Sequence, residues 1–293
     1  MSLAIVATVT IFNLEEPRVS HSERNRTRAA LVSLLSLDGP EGAWYGSKYI
    51  EAARKLAVSF RAYAQHDMVL MVVDDWNLLS TASLTRLQDV GWMVQTVAGL
   101  SPAHQGWFVN RYYNVKIFSK LHLWRLTNYD HVMYVDLDML FVGDPASAFR
   151  LLEGNTSCSL GMVPDLGRTD YFNAGVILLK PALPDYNRLL LAIARLEGDS
   201  MLAEQSFLNV FYSGRICPLP KEYNVQVSQD PSEGAIDDTR YKQNGFTLAS
   251  GQPIVLIHYI AENKPWNSKQ CVSQSIELLC DFWWAANSSG LHH

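Results

Sequence analysis

The chain has few cysteines and no Cys-x-x-Cys pair. Its four cysteines, Cys158, Cys217, Cys271 and Cys280, lie far apart in a sequence of 293 residues. This spacing argues against a structural zinc site and against the disulfide framework of a small secreted domain. We therefore expect buried, reduced thiols and a cytoplasmic location.

Charged residues are also scarce, and no strongly basic surface is encoded. Charged residues make up 18% of the chain, the net charge is −5, and the only short basic run is ERNRTR at 23–28. A protein that binds a phosphate backbone normally carries clustered lysine and arginine. Nucleic acid is therefore excluded as an expected partner.

Long hydrophobic runs are missing as well. The apolar start at 4–11 has no basic leader before it, and it is too short to cross a bilayer. We expect no membrane span and interpret this run as a first β-strand.

Apolar residues make up 48% of the chain, which is enough for a large core, and short apolar runs alternate with helical patterns. This alternation predicts an α/β fold with a mostly parallel central sheet. We expect a helix at 48–64 with Ser47 as its N-cap. The other expected helices are 117–126, 186–196 and 202–212, and the further strands are 68–75, 92–97, 132–136, 174–179 and 254–258. We expect one domain over 1–293, with a nucleotide-binding half at about 1–140, a sugar and acceptor half at about 141–285, and an insertion at about 13–46 that carries its own short helix.

Two carboxylates follow one of the buried strands. In DHVMYVDLDMLF, residues 130–141, Asp136 and Asp138 are separated by one leucine. Ionised carboxylates are costly to bury without a partner, so either a cation binds here, or Asp136 caps the turn and Asp138 is solvated. In an open parallel sheet, ligands bind at the carboxyl ends of strands, where we also expect Asp74 and His258.

A set of segments in a fixed order resembles glycosyltransferase family eight, the glycogenin and galactinol synthase family. The segments are SKLHLWRLTNYDHVMYVDLDMLFVGD (119–144), DYFNAGVILLKP (170–181), AEQSFLNVFYSG (203–214), YNV (223–225) and IHYIAENKPWN (257–267). The resemblance implies a GT-A fold, a single Rossmann-like domain that binds a nucleotide sugar. It also implies a retaining transferase that moves glucose or galactose from a UDP-hexose and depends on Mn²⁺ or Mg²⁺. The acceptor would be a hydroxyl group of a glycan, a glycoprotein or a polyol.

The resemblance also assigns roles to single residues. Asp136, Asp138 and His258 match the metal ligands, and two carboxylates with one imidazole suit Mn²⁺ better than Zn²⁺. Lys264 matches a lysine on the diphosphate, and Gln205 matches a glutamine beneath the reacting sugar carbon. The remaining donor-binding matches are Lys120, Leu137, Asp170, Asn173, Ala174, Gly175, Glu204, Ala261 and, for stacking on uracil, Tyr49.

Simpler interpretations remain for several of these residues. His258 also fits a core histidine, Lys264 a surface cation beside a proline turn, Gly175 a glycine that eases a strand start, and Tyr49 a partly buried helix tyrosine. Glycogenins carry aspartate where this chain has Glu204. Ala261 replaces a glycine that is usual there, so the choice of donor sugar stays open.

The sequence leaves three other functions open. A self-glucosylating primer protein would need an acceptor tyrosine, and Tyr241 is the only tyrosine at 225–257, although the chain ends soon after FWWAANSSG. A nucleotidylyltransferase would need a glycine-rich basic loop after the first strand. A catalytically silent module would bind a sugar nucleotide without the metal set. A homodimer also stays open.

Overall fold

The computed structural model describes most of the chain in three layers, with helices on both faces of a central sheet. It describes residues 28–37, 39–102, 115–152, 158, 160–195, 203–227, 239–242, 245–248, 251–260, 264–266 and 283–285. The expected first strand at 4–11 and Ala261 lie outside these residues. The fold is α/β with a mostly parallel central sheet, as the sequence predicted, and that sheet has seven strands.

The strands of the central sheet run in the order β3-β2-β1-β4-β7-β6-β8. Their bounds are β1 Ala29–Ser36, β2 Asp67–Val73, β3 Met93–Thr96, β4 His131–Val135, β6 Leu160–Pro164, β7 Phe172–Leu179 and β8 Ile216–Pro218. Strand β7 runs antiparallel to both β4 and β6, and the other pairs are parallel. The expected strands 68–75, 92–97, 132–136 and 174–179 are confirmed to within about two residues.

The stretch expected to be an insertion with a short helix contains a central strand instead. Residues Ala29–Ser36 form β1, which pairs in parallel with both β2 and β4. Leu31 and Leu35 enter the core on one face of the sheet, and Val32 enters the core on the other face. A short segment that is apolar on both faces has no period that distinguishes a buried strand from a buried helix. That ambiguity explains why the prediction was wrong.

The long helix α1, Gly39–Arg61, packs on one face of the sheet. Leu56, Ala57 and Phe60 are fully buried there, and burying one large apolar side chain contributes about 1.5–3 kcal/mol. The predicted helix is confirmed, but it begins earlier than residue 48. Ser47 therefore lies inside the helix and is not its N-cap.

The opposite face is covered by a 3₁₀ helix, Val115–Arg125, and by two α-helices that will be called α4, Leu183–Arg195, and α5, Ala203–Phe211. The three helices expected from the sequence here are thus confirmed as helical segments. On this face of the sheet, Phe118, Trp124 and Phe207 form a second hydrophobic core. They pack there with Ala30, Val32 and Leu34 of β1.

A separate sheet of three strands, in the order β5-β12-β9, lies beside the central one. Its bounds are β5 Met139–Phe141, β9 Val225–Val227 and β12 Leu256–Tyr259. The predicted strand at 254–258 is therefore shorter and belongs to this small sheet. Consequently His258 lies within β12 and not at the end of a central strand. The remaining elements are α2 Thr81–Asp89, α3 Ala146–Arg150, a 3₁₀ turn Lys221–Tyr223, β10 Thr239–Lys242 and β11 Gly245–Leu248.

Two of the cysteines form a disulfide, so the expectation of reduced thiols is wrong for them. Cys158, just before β6, is bonded to Cys217 in the edge strand β8, across 59 residues of sequence. Strands β6 and β8 are neighbours in the sheet, which brings the two sulfur atoms together although their spacing in sequence gives no sign of it. Reduced thiols therefore no longer support a cytoplasmic location. Within the described part of the chain, no helix has the length and apolar character needed to cross a membrane.

Candidate active site

The turn between β4 and β5 holds the two carboxylates of the Asp-x-Asp triplet. Tyr134 donates a hydrogen bond of 2.6 Å from its hydroxyl to Asp136 Oδ1, and the amide of Asp136 donates to the carbonyl of Gly175 at 2.9 Å. Leu137 is buried in the core between the two aspartates. Because this leucine anchors the turn, Asp136 and Asp138 are held next to each other.

Strand pairing brings His258 to the same turn. In the small sheet His258 of β12 lies opposite Met139 of β5, and Tyr259 donates its amide hydrogen to the carbonyl of Asp138 at 2.9 Å. One ligand atom each from Asp136, Asp138 and His258 lie within 4.8 Å of one another. The three residues that the sequence predicted as metal ligands thus form one cluster.

The cluster fits a divalent cation. Asp138 Oδ1 is buried and has no hydrogen-bond partner among the described residues, although His258 Nε2 is only 3.5 Å away. A buried carboxylate oxygen without a partner is costly, and a cation bound between these atoms would remove that cost. Two carboxylates and one imidazole are ligands that Mn²⁺ accepts readily.

Lys264 supplies a positive charge at the other oxygen of Asp138. Its ammonium group donates to Asp138 Oδ2 and, at 2.7 Å, to the carbonyl of Tyr259. Burial alone would raise the pKa of Asp138, but the positive charge of Lys264 opposes burial, and that pKa lies well below its ordinary value. Asp138 is therefore ionised before any metal binds.

Lys120 lies at the centre of a second, buried group of charges. Its Nζ donates to Glu204 Oε1 at 2.6 Å and lies 3.0 Å from Asp136 Oδ1, with only 2% of the lysine side chain exposed. Burial would lower the pKa of Lys120, but the two carboxylates outweigh burial and raise it. Burial raises the pKa of Glu204, against the opposing effect of Lys120. Lys120 thus holds Asp136 in place through an ion pair, and Glu204 forms a second ion pair with the same ammonium group.

Gln205 is held by two hydrogen bonds. Its Oε1 accepts from the amide of Ala174 at 2.9 Å, and its Nε2 donates to Asp165 Oδ2 at 3.0 Å. Gln205 lies in the first turn of α5, two residues after Ala203, whose φ of 40° is unusual for a residue with a side chain. The side-chain amide is therefore fixed in one orientation beside the start of β7.

Gly175 makes room for the ring of His258. A Cβ atom at this position would come within 2.6 Å of His258 Cε1 and 2.8 Å of Asn173 Oδ1. The sequence suggested that Gly175 lets the backbone approach a sugar. The structure gives a direct reason for a glycine at this position, because the His258 ring packs against the backbone of β7 there.

Two of the predicted residues have other surroundings in the structure. Asp170 is exposed. Within the described part of the chain, it makes none of the hydrogen bonds of this site. Tyr49 is half-buried and packs edge-on against Trp266, with ring centres 5.3 Å apart.

Sequence reasoning missed two residues that the structure places in the site. Asp165, at the end of β6, contacts both Asn173 and Gln205, and buried Asn224 contacts both Asn173 and His258. Asp165 was missed because strand β6 was not predicted. Asn224 stands in the YNV motif, but nothing in the sequence shows that this motif lies beside β12.

Comparison with known proteins identifies the family of this chain. The model of the family described as glycosyl transferase family 8 matches residues 107–270, which is more than half of the chain. Glycogenin of Neurospora crassa is 27% identical over 243 residues, covering 81% of this chain and 33% of that protein. Galactinol synthase 3 of Arabidopsis thaliana is 23% identical over 310 residues, covering 91% of this chain and 82% of that protein.

A solved structure shows the same fold. The galactosyltransferase LgtC, in complex with donor and acceptor sugar analogues, aligns with a TM-score of 0.58 at 16% identity, covering 90% of this chain and 97% of that one. This chain spans between 33% and 50% of the length of three of the curated relatives that it matches. The match of the family model over more than half of the sequence is the decisive finding, and this chain belongs to glycosyl transferase family 8.

Proposed function

We propose that this protein is a retaining, metal-dependent hexosyltransferase that uses UDP-glucose or UDP-galactose as donor and a hydroxyl group as acceptor. The observation that carries the proposal is the cluster of Asp136, Asp138 and His258, with an unpaired buried carboxylate oxygen, in a family 8 chain. LgtC is a galactosyltransferase whose structure holds donor and acceptor sugar analogues, and its likeness to this chain supports hexose transfer here too.

In this proposal Asp136, Asp138 and His258 hold Mn²⁺ or Mg²⁺. When bound, the cation supplies positive charge that stabilises the diphosphate as it leaves. The residues around the cluster suit that role. Asp136, Asp138, Glu204 and Asp165 carry four negative charges and Lys120 and Lys264 two positive ones, so a divalent cation would neutralise the net negative charge of these groups. Neutralising that charge would remove the repulsion that a diphosphate otherwise meets here.

Lys264 is the cation of this chain that we assign to the diphosphate. Its side chain is 15% exposed, whereas that of Lys120 is 2% exposed and is satisfied by Glu204 and Asp136. Lys264 can therefore share its donor hydrogens between Asp138 and a phosphate oxygen. Lys120 acts instead by fixing Asp136.

We assign Gln205 to the reacting sugar carbon. Its carbonyl oxygen has two lone pairs, and the amide of Ala174 occupies only one of them. The free lone pair can stabilise positive charge on that carbon, while an amide is too weak a nucleophile to bond to it readily. The bond from the sugar carbon to the phosphate oxygen breaks, the bond to the acceptor oxygen forms on the same face, and the acceptor proton moves to the departing phosphate.

The acceptor in this proposal is a separate molecule: a glycan, a glycoprotein or a polyol. Self-glucosylation would require Tyr241 to enter an active site. Tyr241 belongs to β10 and is paired opposite Phe246 of β11 in an antiparallel sheet, so its entry into an active site would require this pairing to break. Intact mass spectrometry after incubation with UDP-glucose or UDP-galactose should show no ladder of hexose additions. A ladder that disappears in Tyr241→Phe would establish self-glucosylation instead.

The test of the proposal is the release of UDP. Purified protein is incubated with UDP-glucose, UDP-galactose and control UDP-sugars in Mn²⁺, Mg²⁺ or EDTA, and UDP is measured for the wild type and for Asp138→Asn. We expect release that requires metal and falls at least about 100-fold in Asp138→Asn, because the variant keeps the shape but loses a charged ligand. NMR of the product should show the donor's anomeric configuration. Release that continues in EDTA, or an inverted product, would contradict the proposal.

A further inference from the structure

A chain of side-chain hydrogen bonds connects the metal histidine to Gln205. His258 Nδ1 lies 2.9 Å from Asn224 Oδ1, and Asn224 Nδ2 donates to Asn173 Oδ1 at 2.9 Å. Asn173 Nδ2 then donates to Asp165 Oδ1 at 3.1 Å, and Asp165 Oδ2 accepts from Gln205. His258, Asn173 and Gln205 lie in β12, β7 and α5, and the other two residues lie just before β9 and just after β6. The chain of bonds therefore ties the small sheet to the central one.

The direction of each bond is fixed by groups that can only donate or only accept. The amide of Gly175 lies 2.9 Å from Asn173 and can only donate, so Asn173 must present its oxygen there. The same oxygen can accept from Asn224 only if Asn224 presents its nitrogen. Asn224 therefore has its own oxygen left for His258. An oxygen facing Nδ1 requires that Nδ1 carry a proton.

This arrangement determines which ring nitrogen of His258 is available as a ligand. With the proton of a neutral imidazole on Nδ1, the lone pair lies on Nε2, which is the nitrogen 3.5 Å from the unpaired Asp138 Oδ1. Two electron-rich atoms then face each other across a gap with no hydrogen between them. Such a pair is stabilised by a cation.

We propose that Asn224 is a positioning residue that holds the proton of His258 on Nδ1 and aims Nε2 at the metal position. Asn224 is buried, and it stands between the 3₁₀ turn Lys221–Tyr223 and strand β9, which pairs in parallel with β12. Its backbone is thus fixed relative to His258. Groups that orient a ligating histidine in this way typically contribute about 10- to 100-fold to metal affinity. The inference rests on the proposed function in taking the cluster as the metal site.

The first measurement needs neither metal nor activity. NMR of ¹⁵N-labelled ring nitrogens in the metal-free protein, at a pH above the ordinary histidine range, reports which nitrogen carries the proton; His258→Gln assigns the signal. We expect a proton on Nδ1 in the wild type, with or without a second one on Nε2. A proton on Nε2 alone would overturn the proposal.

The second measurement is Mn²⁺ affinity in the presence of UDP, by electron paramagnetic resonance. Asn224→Leu keeps the approximate volume and removes the acceptor, so we expect affinity about 10- to 100-fold weaker and loss of the fixed Nδ1 proton. Asn224→Asp keeps an acceptor for Nδ1, and we expect affinity within about threefold of the wild type even if the variant melts at a lower temperature.

The matched control is Asn209→Leu. Asn209 bonds the backbone at Phe172 and Gln205 through both ends of its amide, but it does not contact His258. We expect it to lower the melting temperature and to leave Mn²⁺ affinity unchanged. An equal loss of affinity in Asn209→Leu, or none in Asn224→Leu, would overturn the role of Asn224. If the wild type shows the Nδ1 proton but binds no Mn²⁺ with UDP, the proposed function fails and the contact between Asn224 and His258 stands.

Discussion

The substitution Gly175→Ala tests the site most directly, because one added methyl group meets His258, the proposed metal ligand. The new Cβ would lie 2.6 Å from His258 Cε1, 2.6 Å from Met139 Cε and 2.8 Å from Asn173 Oδ1. The end of the methionine side chain can move away. The histidine and the asparagine cannot move freely, because Asn224 holds the histidine and the Gly175 amide holds the asparagine.

The size of the effect follows from ordinary contact distances. Carbon atoms in contact prefer a separation of about 3.5 Å, so the His258 ring must shift by roughly 1 Å. Overpacking of this kind costs about 1–3 kcal/mol of unfolding free energy. A shift of that size at a ligand atom should weaken Mn²⁺ binding by about 10- to 100-fold, and it should reduce transfer by at least about 100-fold.

Gly161→Ala is the matched control. It makes the same change in β6 of the same sheet, where the new Cβ would meet Leu219 Cδ2 at 2.7 Å, the end of a flexible apolar side chain. We measure thermal unfolding, Mn²⁺ affinity with UDP, and UDP release for both variants. Both should lose some stability, and only Gly175→Ala should lose metal affinity. A folded Gly175→Ala protein with the metal affinity of the wild type would refute the reasoning.

Three other predictions concern the charged and polar groups of the site. Gln205→Ala should lower the transfer rate by about 100-fold and change UDP affinity, measured by calorimetry, less than about threefold; a large loss of UDP affinity would place Gln205 on the nucleotide instead. Lys120→Met should lower the unfolding free energy, measured in urea, by roughly 3–5 kcal/mol because it leaves two carboxylates without the buried cation that they share. Adding Glu204→Gln should restore part of that loss. Full stability of Lys120→Met would contradict the role of Lys120 in fixing Asp136. Because the pKa of Asp138 is lower in the folded protein than in the unfolded one, its charge stabilises the fold above about pH 4 and this contribution is lost as the pH falls further. The advantage of the wild type over Asp138→Asn in thermal unfolding should therefore shrink between about pH 6 and about pH 3, and a constant advantage would argue against the lowered pKa.

Some of this site could be predicted from the sequence because its residues stand in short segments. Asp136 and Asp138 follow a strand that is buried throughout, and the cost of burying two carboxylates led to two alternatives, a bound cation or a capped turn. His258 was connected to them by a resemblance between motifs, since nothing in its own surroundings shows what it contacts. The structure explains the connection through the pairing of β12 with β5.

The parts that could not be predicted depend on contacts between distant strands. The carboxylate that binds Gln205 is Asp165, which the sequence did not single out because strand β6 was not predicted. The antiparallel pairing of β6 with β7 is what brings Asp165 beside Asn173 and the start of β7. The disulfide between Cys158 and Cys217 has the same origin, because the two cysteines become neighbours only when β8 joins β6.

The two oxygens of Asp138 have different partners, and this difference suits the divalent cation that we propose for the site. Oδ2 accepts from Lys264, which keeps the carboxylate ionised in the metal-free protein, while Oδ1 faces His258 without a hydrogen bond. If Lys264 bonded to both oxygens, a metal would have to displace it. Because only one oxygen is paired, a divalent cation can bind at the other while Lys264 stays in place. In the proposed function, the lysine would lie beside the cation, so that a bound diphosphate would meet both positive charges.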